Sequence, residues 1–182
     1  MKELSLNILD ITENSVKAGA TLTEIILEES EEILTVTVSD NGCGMSEETV
    51  RSVTNPFYTT RTTRRVGLGI PLLLLAAEQT GGDVKIFSKT REEFPDSHGT
   101  AVVATFYKNH IDFTPLGDVV STLQTLVQGH PDVDFRFVHK KGEREIEMDT
   151  RNMREVLEGI PLDSFEVITW LGESLKEEYT DF

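Results

Sequence analysis

The stretch Asp10-Ile-Thr-Glu-Asn-Ser-Val-Lys-Ala-Gly-Ala20 is the part of this 182-residue chain from which its fold can be worked out. It falls within a helix predicted over residues 4–18, where apolar residues recur at helical spacing. Asp10, Asn14 and Lys17 share one face of that helix, at i, i+4 and i+7. A carboxylate, an amide and an ammonium in one row can orient water, ligate a divalent cation and neutralise phosphate. A polar face is also common on any amphipathic helix, so the row alone leaves both interpretations open.

Two glycine-containing stretches lie further along the chain. Ser39-Asp-Asn-Gly-Cys-Gly-Met45 follows a predicted strand, and its glycines let the backbone turn sharply and approach a flat ligand. Asp40, at the strand end, could accept a hydrogen bond from an exocyclic amine; an ordinary Asn-Gly turn is the alternative. Arg65-Val-Gly-Leu-Gly-Ile-Pro71 precedes a predicted helix, and glycines there expose N–H groups to an anion. A simple helix-entry turn is the alternative for this third stretch.

The remaining pattern predicts two regions. Residues 1–109 are predicted to run helix, strand, strand, helix, loop, helix, strand, strand, with the loop at residues 55–66. Residues 110–182 are predicted to add a helix, a β-hairpin and two helices. We therefore expect one domain over 1–109 and a small acidic α/β extension over 110–182.

The charge and composition exclude several classes of function. The net charge is −15, with 10 basic and 16 acidic residues in 1–109 and 7 basic and 16 acidic residues in 110–182. Nucleic-acid phosphates and anionic membranes attract Lys and Arg, so neither is expected as a partner. The single cysteine, Cys43, cannot form an internal disulfide, and the longest apolar run has 8 residues, from Ile70 to Ala77. Without a signal sequence at the N-terminus, a cytoplasmic protein is expected.

In this order and spacing the three stretches resemble the GHKL superfamily, which contains DNA gyrase B, the cytosolic heat-shock chaperone, sensor histidine kinases and MutL-type mismatch repair proteins. The first stretch is similar to the N box, and its amino-acid sequence most resembles the mismatch-repair version. Residues 40–45 resemble the first glycine box. Residues 55–61 and 67–70 resemble the phenylalanine box, ATP lid and second glycine box of histidine kinases, the HATPase_c domain. Residues 98–106 resemble the strand that closes the sheet, and the resemblance covers residues 3–107.

The resemblance implies an α/β fold class: the Bergerat ATP-binding fold, an α+β two-layer sandwich with helices on one face of a mixed sheet. It implies ATP and Mg²⁺ as cofactors, held between the N-box helix and a lid at residues 55–66. Asn14 would be the metal ligand, Asp40 would accept a hydrogen bond from the adenine amine, and Thr100 would support it through water. The residues that the resemblance places around the nucleotide are Asn14, Lys17, Asp40, Gly42, Gly44, Met45, Phe57, Thr59, Thr60, Arg61, Gly67, Leu68, Gly69 and Thr100.

Asp10 and Glu13 are the candidate catalytic residues. Superfamily members that hydrolyse ATP have a glutamate four residues before the metal asparagine, and Asp10 keeps the carboxylate on a side chain one methylene shorter. A shift of about 1 Å in a water-activating group can cost about 100-fold in rate, so this departure bears on hydrolysis more than on binding. Glu13 is turned about 100° round the helix from Asn14 and is the second candidate, with a surface or structural acid as its alternative.

The output of such a domain is not evident in the sequence. None of the four histidines has an acid after it, as a phosphoacceptor histidine usually does, and no helical segment precedes residue 1. We therefore expect a histidine-kinase-like domain that lacks a phosphoacceptor histidine domain. Its output would be a protein partner, and the acidic region 110–182 suits docking onto a basic protein surface.

The main hypothesis is a cytoplasmic regulatory protein of signal transduction that binds ATP and Mg²⁺ and acts on a protein partner. It would act by phosphotransfer in trans or by a lid that the nucleotide orders. Whether it is an ATPase, a protein kinase or neither is left open, and so is a homodimer. The alternatives are a non-catalytic, anti-sigma-like binding module with structural ATP, and a MutL-like DNA ATPase, against which the net charge counts.

Overall fold

The computed structural model describes residues 3–54 and 69–182. Within them the chain forms six helices and six strands: α1 (Leu4–Lys17), β1 (Leu22–Glu29), β2 (Ile33–Asp40), α2 (Glu47–Thr54), α3 (Gly69–Gln79), β3 (Asp83–Lys89), β4 (Gly99–Tyr107), α4 (Val119–Gly129), β5 (Asp134–Lys141), β6 (Arg144–Asp149), α5 (Thr150–Leu157) and α6 (Phe165–Thr180). None of the helices in this part of the chain combines the length and apolarity that crossing a bilayer requires.

The strands form one six-stranded mixed sheet in the order β3-β4-β2-β1-β5-β6. All neighbouring pairs are antiparallel except β1 and β5, which run parallel from the pair Leu22–Asp134 to the pair Glu29–Lys141. The predicted α/β class with a mixed sheet is confirmed. The C-terminal hairpin, β5 and β6, extends the same sheet, and the boundary between residues 109 and 110 stays a prediction.

One face of this sheet carries the core. Strand residues alternate between the two faces, and the alternate apolar residues of each central strand are buried. These residues are Ile25, Leu27, Leu34, Val36, Val38, Val102, Ala104, Phe106, Phe135 and Phe137. The helices α1, α3 and α4 bury Ile8, Leu73 and Leu123 in the same cluster, so the helices form a layer over that face.

The opposite face of the sheet carries ion pairs where β1, β5 and β6 lie side by side. Arg136 on β5 lies between two acids, with its Nε 2.9 Å from Glu147 and its Nη1 3.1 Å from Glu24. The register places these side chains on neighbouring strands, so the ion pairs bridge β1, β5 and β6. The acidic side chain of Glu147 on β6 is thus partly neutralised by Arg136.

The region after residue 109 also holds α1 in place. The first N–H groups of a helix have no partner within it, and those of Leu4 and Ser5 donate to the carbonyls of Pro115 and Leu116, at 2.9 and 2.8 Å. Near its other end, Glu13 pairs with His130, which caps α4. The helix that carries the first motif is therefore positioned from both ends by the C-terminal region.

Candidate nucleotide-binding site

A cavity of about 250 Å³ opens where α1, α2 and α3 meet the end of β2 and the start of β4. Its lining brings together predicted site residues from three separate stretches: Asn14, Lys17, Asp40, Gly44, Met45 and Thr100. Apolar side chains complete the walls, namely Ile11, Val53, Ile70 and Val102. An apolar pocket with a few convergent polar groups is the usual form of a small-ligand site.

Asp40 is the best-defined acceptor in this cavity. It ends β2 opposite Thr100 of β4, and its Oδ1 accepts a hydrogen bond from the N–H of Gly42 at 2.8 Å. Its Oδ2 accepts a hydrogen bond from the hydroxyl of Ser15 on α1, also at 2.8 Å. These two bonds fix the carboxylate plane, and each carboxylate oxygen can still accept a further bond from an amine.

Ser88 on β3 organises the floor of the site and was not predicted from the sequence. Its Oγ accepts a hydrogen bond from the N–H of Met45 at 2.7 Å and lies 2.8 Å from the Oγ1 of Thr100. The partners lie 43 and 12 residues away in the chain, so no local pattern could indicate these contacts. Ser88 joins the first glycine stretch to the strand that carries Thr100.

The glycines of the first glycine stretch are required by close packing. Gly44 has φ +71°, and a Cβ there would lie 1.9 Å from the carbonyl oxygen of Lys89. A Cβ at Gly42 would lie 2.9 Å from the Cβ of Ala18, at the end of α1. The turn is thus pressed between α1 and the end of β3, which adds a structural reason to the predicted approach of the nucleotide.

His98 closes this turn from a third side. Its Nδ1 lies 2.6 Å from the carbonyl oxygen of Gly42, and because a carbonyl only accepts, the ring nitrogen donates. The sequence placed His98 in the strand motif without giving it a role in the site. Its contact holds the loop before β4 against the glycine stretch.

The start of α3 lies beside the polar row of α1. A Cβ at Gly69 would lie 3.0 Å from the Cβ of Asp10 and 3.8 Å from the Nδ2 of Asn14. The first N–H groups of α3 carry the positive end of the helix dipole. A carboxylate, an amide and a helix N-terminus therefore meet here, and this combination can hold a phosphate group together with a cation.

Several predicted residues lie outside the described residues. They are Phe57, Thr59, Thr60, Arg61, Gly67 and Leu68, together with the predicted lid at residues 55–66. The helices on either side of this segment, α2 and α3, contribute Val53 and Ile70 to the cavity.

The two candidate catalytic acids have different surroundings. Asp10 is exposed on the face of α1 that also carries Asn14 and that lies against Gly69. Glu13 points to α4, where its Oε1 lies 2.7 Å from the Nε2 of His130, which donates to it. This contact gives Glu13 a structural role, and a catalytic role for either acid stays a prediction.

Asn14 supplies one side-chain oxygen, which fits a magnesium ion whose other ligands are mainly phosphate and water oxygens. Among residues 3–54 and 69–182, no group of three or more His, Cys, Asp or Glu side chains could hold a metal ion. Mg²⁺ in phosphate sites keeps several waters and takes few protein oxygens. The single amide oxygen of Asn14 beside the start of α3 is compatible with that arrangement.

Comparison with known proteins agrees with this geometry. The family model of histidine kinase-, DNA gyrase B- and HSP90-like ATPases matches residues 2–130, which runs past residue 109 and through α4. The tetrathionate sensor histidine kinase TtrS of Salmonella typhimurium is 32% identical over 100 residues, covering 54% of this chain and 16% of the kinase. The mismatch repair protein MutL of Listeria monocytogenes is 29% identical over 164 residues, covering 72% of this chain and 27% of MutL. This chain thus matches less than a third of the length of either relative.

Solved structures share the fold. The N-terminal domain of a DNA repair protein superposes with a TM-score of 0.61 at 15% identity, covering 82% of this chain and 53% of that one. The ATPase domain of Aquifex aeolicus MutL, solved with ADP, gives a TM-score of 0.56 at 16% identity, covering 87% of this chain and 70% of that one. At these identities the likeness establishes the architecture alone.

Proposed function

This chain belongs to the family of histidine kinase-, DNA gyrase B- and HSP90-like ATPases, and we propose that it is a regulatory module that binds ATP with Mg²⁺ and acts on a protein partner. One observation carries the proposal: Asp40, Asn14 and the cavity wall at Ile70, next to the start of α3, come from three distant stretches and line one cavity. Each stretch by itself has an ordinary structural explanation: a polar helix face, an Asn-Gly turn or a helix-entry turn. Their convergence on one cavity has a simpler explanation as a nucleotide site.

The adenine end of the site is formed by Asp40 and its neighbours. The carboxylate, fixed by Ser15 and Gly42, accepts a hydrogen bond from the exocyclic amine. Apolar side chains such as Ile11 and Val102 line the same cavity and cover the faces of the base. A fixed acceptor in an apolar slot selects a base that carries an amine at that position.

The phosphate end lies between α1 and α3. Lys17 and the first N–H groups of α3 attract the phosphates, and Asn14 supplies an amide oxygen to the metal ion. Bound Mg²⁺ would neutralise phosphate charge and polarise the terminal phosphate. Asp10, one turn before Asn14, accepts a proton from water beside that phosphate.

Transmission to the partner follows the segment between α2 and α3. The lid predicted over residues 55–66 would then respond to whether the terminal phosphate is present at the start of α3. The partner then senses the nucleotide state by affinity, or receives the phosphate in trans. The shorter carboxylate of Asp10 makes hydrolysis by the chain alone slow, which favours these two outputs over an autonomous ATPase.

A MutL-like DNA ATPase is the second candidate, and one observation favours it. The likeness to Listeria MutL extends over 72% of this chain, further than the likeness to the sensor kinase. The net charge of −15 opposes it, because binding to DNA phosphates requires clustered basic residues. We therefore rank this function below regulation of a protein partner.

Calorimetric titration of ATP, with and without Mg²⁺, tests the proposal. Asp40→Asn is expected to weaken ATP binding at least about tenfold, and Asn14→Ala is expected to abolish the effect of Mg²⁺. Asn109→Ala, an exposed amide away from the cavity, is the matched control and should bind as the wild type does. Equal ATP affinity in all four proteins would overturn the proposal.

Labelled ATP distinguishes the outputs. The protein is incubated with γ-labelled ATP and Mg²⁺, with and without cell extract, and free phosphate and labelled protein are followed. Label on a partner indicates a kinase, and free phosphate alone indicates an ATPase. Tight binding with neither product indicates a non-catalytic binding module in which ATP is structural.

A further inference from the structure

A second cavity, of about 710 Å³, lies at the β6 edge of the sheet, between α5, α6 and β6. We call it the α5–α6 groove. Buried Met148, Met153, Leu171 and Leu175 form its floor, each 8% exposed or less. It shares none of its lining with the nucleotide cavity, which β2, β4 and α1–α3 surround.

The walls of the groove and its surroundings expose large apolar side chains. Val156 on α5 is 82% exposed and Trp170 on α6 is 54% exposed, and both line the groove. Ile160 in the connection between these helices is 54% exposed, and Phe165 at the start of α6 is 81% exposed. Four such side chains within fifteen residues of chain form a patch of the kind that marks a protein interface.

The rim of the groove is acidic. Glu147, Asp149 and Glu178 line it, and residues 144–182 contain 11 acidic and 4 basic residues. Of those bases, Arg151 is 2.6 Å from Asp149 and Arg154 is 2.9 Å from Asp134, while Arg144 contacts the carbonyl oxygens of Asp181 and Phe182. Asp149 is thus paired with Arg151, and Glu147 is paired with Arg136. The remaining acidic excess of this region lies on exposed side chains of α5 and α6, among them Glu155, Glu173 and the rim residue Glu178.

We propose that the α5–α6 groove docks an amphipathic helix of a partner protein, with apolar residues on one face and Lys or Arg beside them. The apolar face fills the groove against Trp170 and Val156, and the basic residues meet the acidic rim. A second copy of this chain would bring two acidic rims together, and an anionic membrane would be repelled. An extended strand would pair with the backbone of the edge strand β6, whereas most of the residues that line this groove are side chains of α5 and α6.

This inference names the docking surface of the partner in the proposed function, and it rests on that function only for the existence of a protein partner. The groove lies beside the edge strand β6, whereas the nucleotide cavity lies against the interior strands β2 and β4. If the wild-type chain binds ATP but does not bind a basic amphipathic peptide, the docking surface alone is overturned. If it binds the peptide but not ATP, the nucleotide site alone is overturned.

The test uses a synthetic probe and the full chain. The probe is a Trp-free peptide of about 15 residues, long enough to form a helix on the surface. Its Leu residues recur at helical spacing on one face, and its Lys residues occupy the opposite face. A scrambled peptide of the same composition and a Leu/Glu peptide serve as comparisons. Trp170 is the only tryptophan of the chain, so its emission reports directly on the groove.

Saturable binding of the Leu/Lys peptide with a blue shift of Trp170 emission is expected. Val156→Asp should weaken this binding about tenfold or more although it adds a negative charge, because it places a carboxylate in the apolar contact. Ile111→Asp is the matched control: Ile111 is 95% exposed and lies outside the groove, so its affinity should stay unchanged. Both substitutions replace highly exposed residues, and circular dichroism checks that both variants fold.

Three results would overturn the proposal. The scrambled peptide would bind as tightly as the helical one, or the Leu/Glu peptide would bind as tightly as the Leu/Lys peptide. Alternatively, Val156→Asp and Ile111→Asp would bind the Leu/Lys peptide equally, which would reduce the interaction to general attraction by the net charge. A Trp170→Ser variant, followed by anisotropy of a labelled peptide, gives an independent reading and should also bind at least several-fold more weakly.

Discussion

The hydroxyl of Ser15 donates a hydrogen bond of 2.8 Å to the Oδ2 of Asp40, across 25 residues of chain. Ser15 lies on α1, the helix that carries Asn14 and Lys17, and Asp40 lies in the first glycine stretch, residues 39–45. This bond therefore joins two of the three stretches that line the nucleotide cavity. It also sets the carboxylate orientation on which recognition of the base depends.

Replacing Ser15 by alanine tests this joint. A hydrogen bond to a charged group contributes about 1.5–3 kcal/mol, so Ser15→Ala is expected to lower the free energy of unfolding by about 1–3 kcal/mol. ATP affinity should fall several-fold, because the Asp40 carboxylate loses one of its two fixed donors. Urea unfolding and calorimetry measure the two effects. Thr125→Ala, which removes an exposed hydroxyl on α4, is the control, and an equal loss of ATP affinity there would contradict the account.

The turn at Gly44 should tolerate no side chain. Gly44→Ala would set a Cβ 1.9 Å from the carbonyl oxygen of Lys89 and strain a backbone at φ +71°. We expect a loss of more than about 2 kcal/mol in stability, with ATP binding lost or greatly weakened.

Gly142→Ala is the matched control for that change. Gly142 also has positive φ, at +61°, but no atom lies within 4 Å of its added Cβ. It should cost about 1 kcal/mol from backbone strain and leave ATP binding intact. Thermal unfolding and calorimetry compare the pair, and equal behaviour of the two variants would show that close packing at Gly44 is unimportant.

The two candidate acids should separate in turnover assays. If Asp10 accepts the proton of the attacking water, Asp10→Asn should lower ATP hydrolysis by about 100-fold or more while ATP still binds. Asp10→Glu should raise hydrolysis, because it restores the longer carboxylate of the hydrolysing superfamily members. Glu13→Gln should leave the rate per folded molecule unchanged, since Glu13 is engaged by His130. A rate that falls with Glu13→Gln and not with Asp10→Asn would reverse the assignment.

His139 makes stability depend on pH. The ring is 2% exposed, with its Nδ1 2.8 Å from the hydroxyl of Tyr179 and its Nε2 3.3 Å from Glu29. Burial lowers the pKa of His139 below 6.5, Glu29 partly opposes this, and Lys141 and Lys108 add to it. The unfolded chain therefore takes up the proton more readily than the folded chain, and stability falls as pH drops through about 6.5.

We expect the unfolding temperature to fall between about pH 7.5 and pH 5.5, and the variant His139→Gln to show a flatter profile. Glu29 does not interfere in this window. Burial would raise its pKa, but the ion pair with Lys108 and the charge of Lys141 bring it below 4.5, so Glu29 stays ionised there. Differential scanning calorimetry at several pH values makes the comparison. Parallel profiles for the two proteins would contradict a neutral, buried His139.

The elements of the fold were largely predictable, whereas their arrangement in space was only partly so. Apolar spacing predicted α1 and the hairpin of β1 and β2, because each depends on neighbouring residues. The parallel pairing of β5 with β1 depends on contacts more than a hundred residues apart, and no local pattern encodes it. The C-terminal β-hairpin itself was predicted, and in β6 the alternate residues Ile146 and Met148 are buried.

The same division holds within the site. Asp40 and Asn14 were predicted because they belong to motifs with fixed spacing. Ser88 and His98 were missed because a serine in a strand and a histidine before one carry no signal until their partners are known. Glu13 looked like a second catalytic acid because its position on α1 is known from sequence, while the position of His130 opposite it is not.

The most direct test of the account is a crystal structure of the protein with Mg²⁺ and a non-hydrolysable ATP analogue. We expect the adenine amine to donate a hydrogen bond to the carboxylate of Asp40 and the phosphates to lie between Asn14 and the start of α3. A nucleotide bound in the α5–α6 groove, or one whose phosphates lie away from α1, would contradict it.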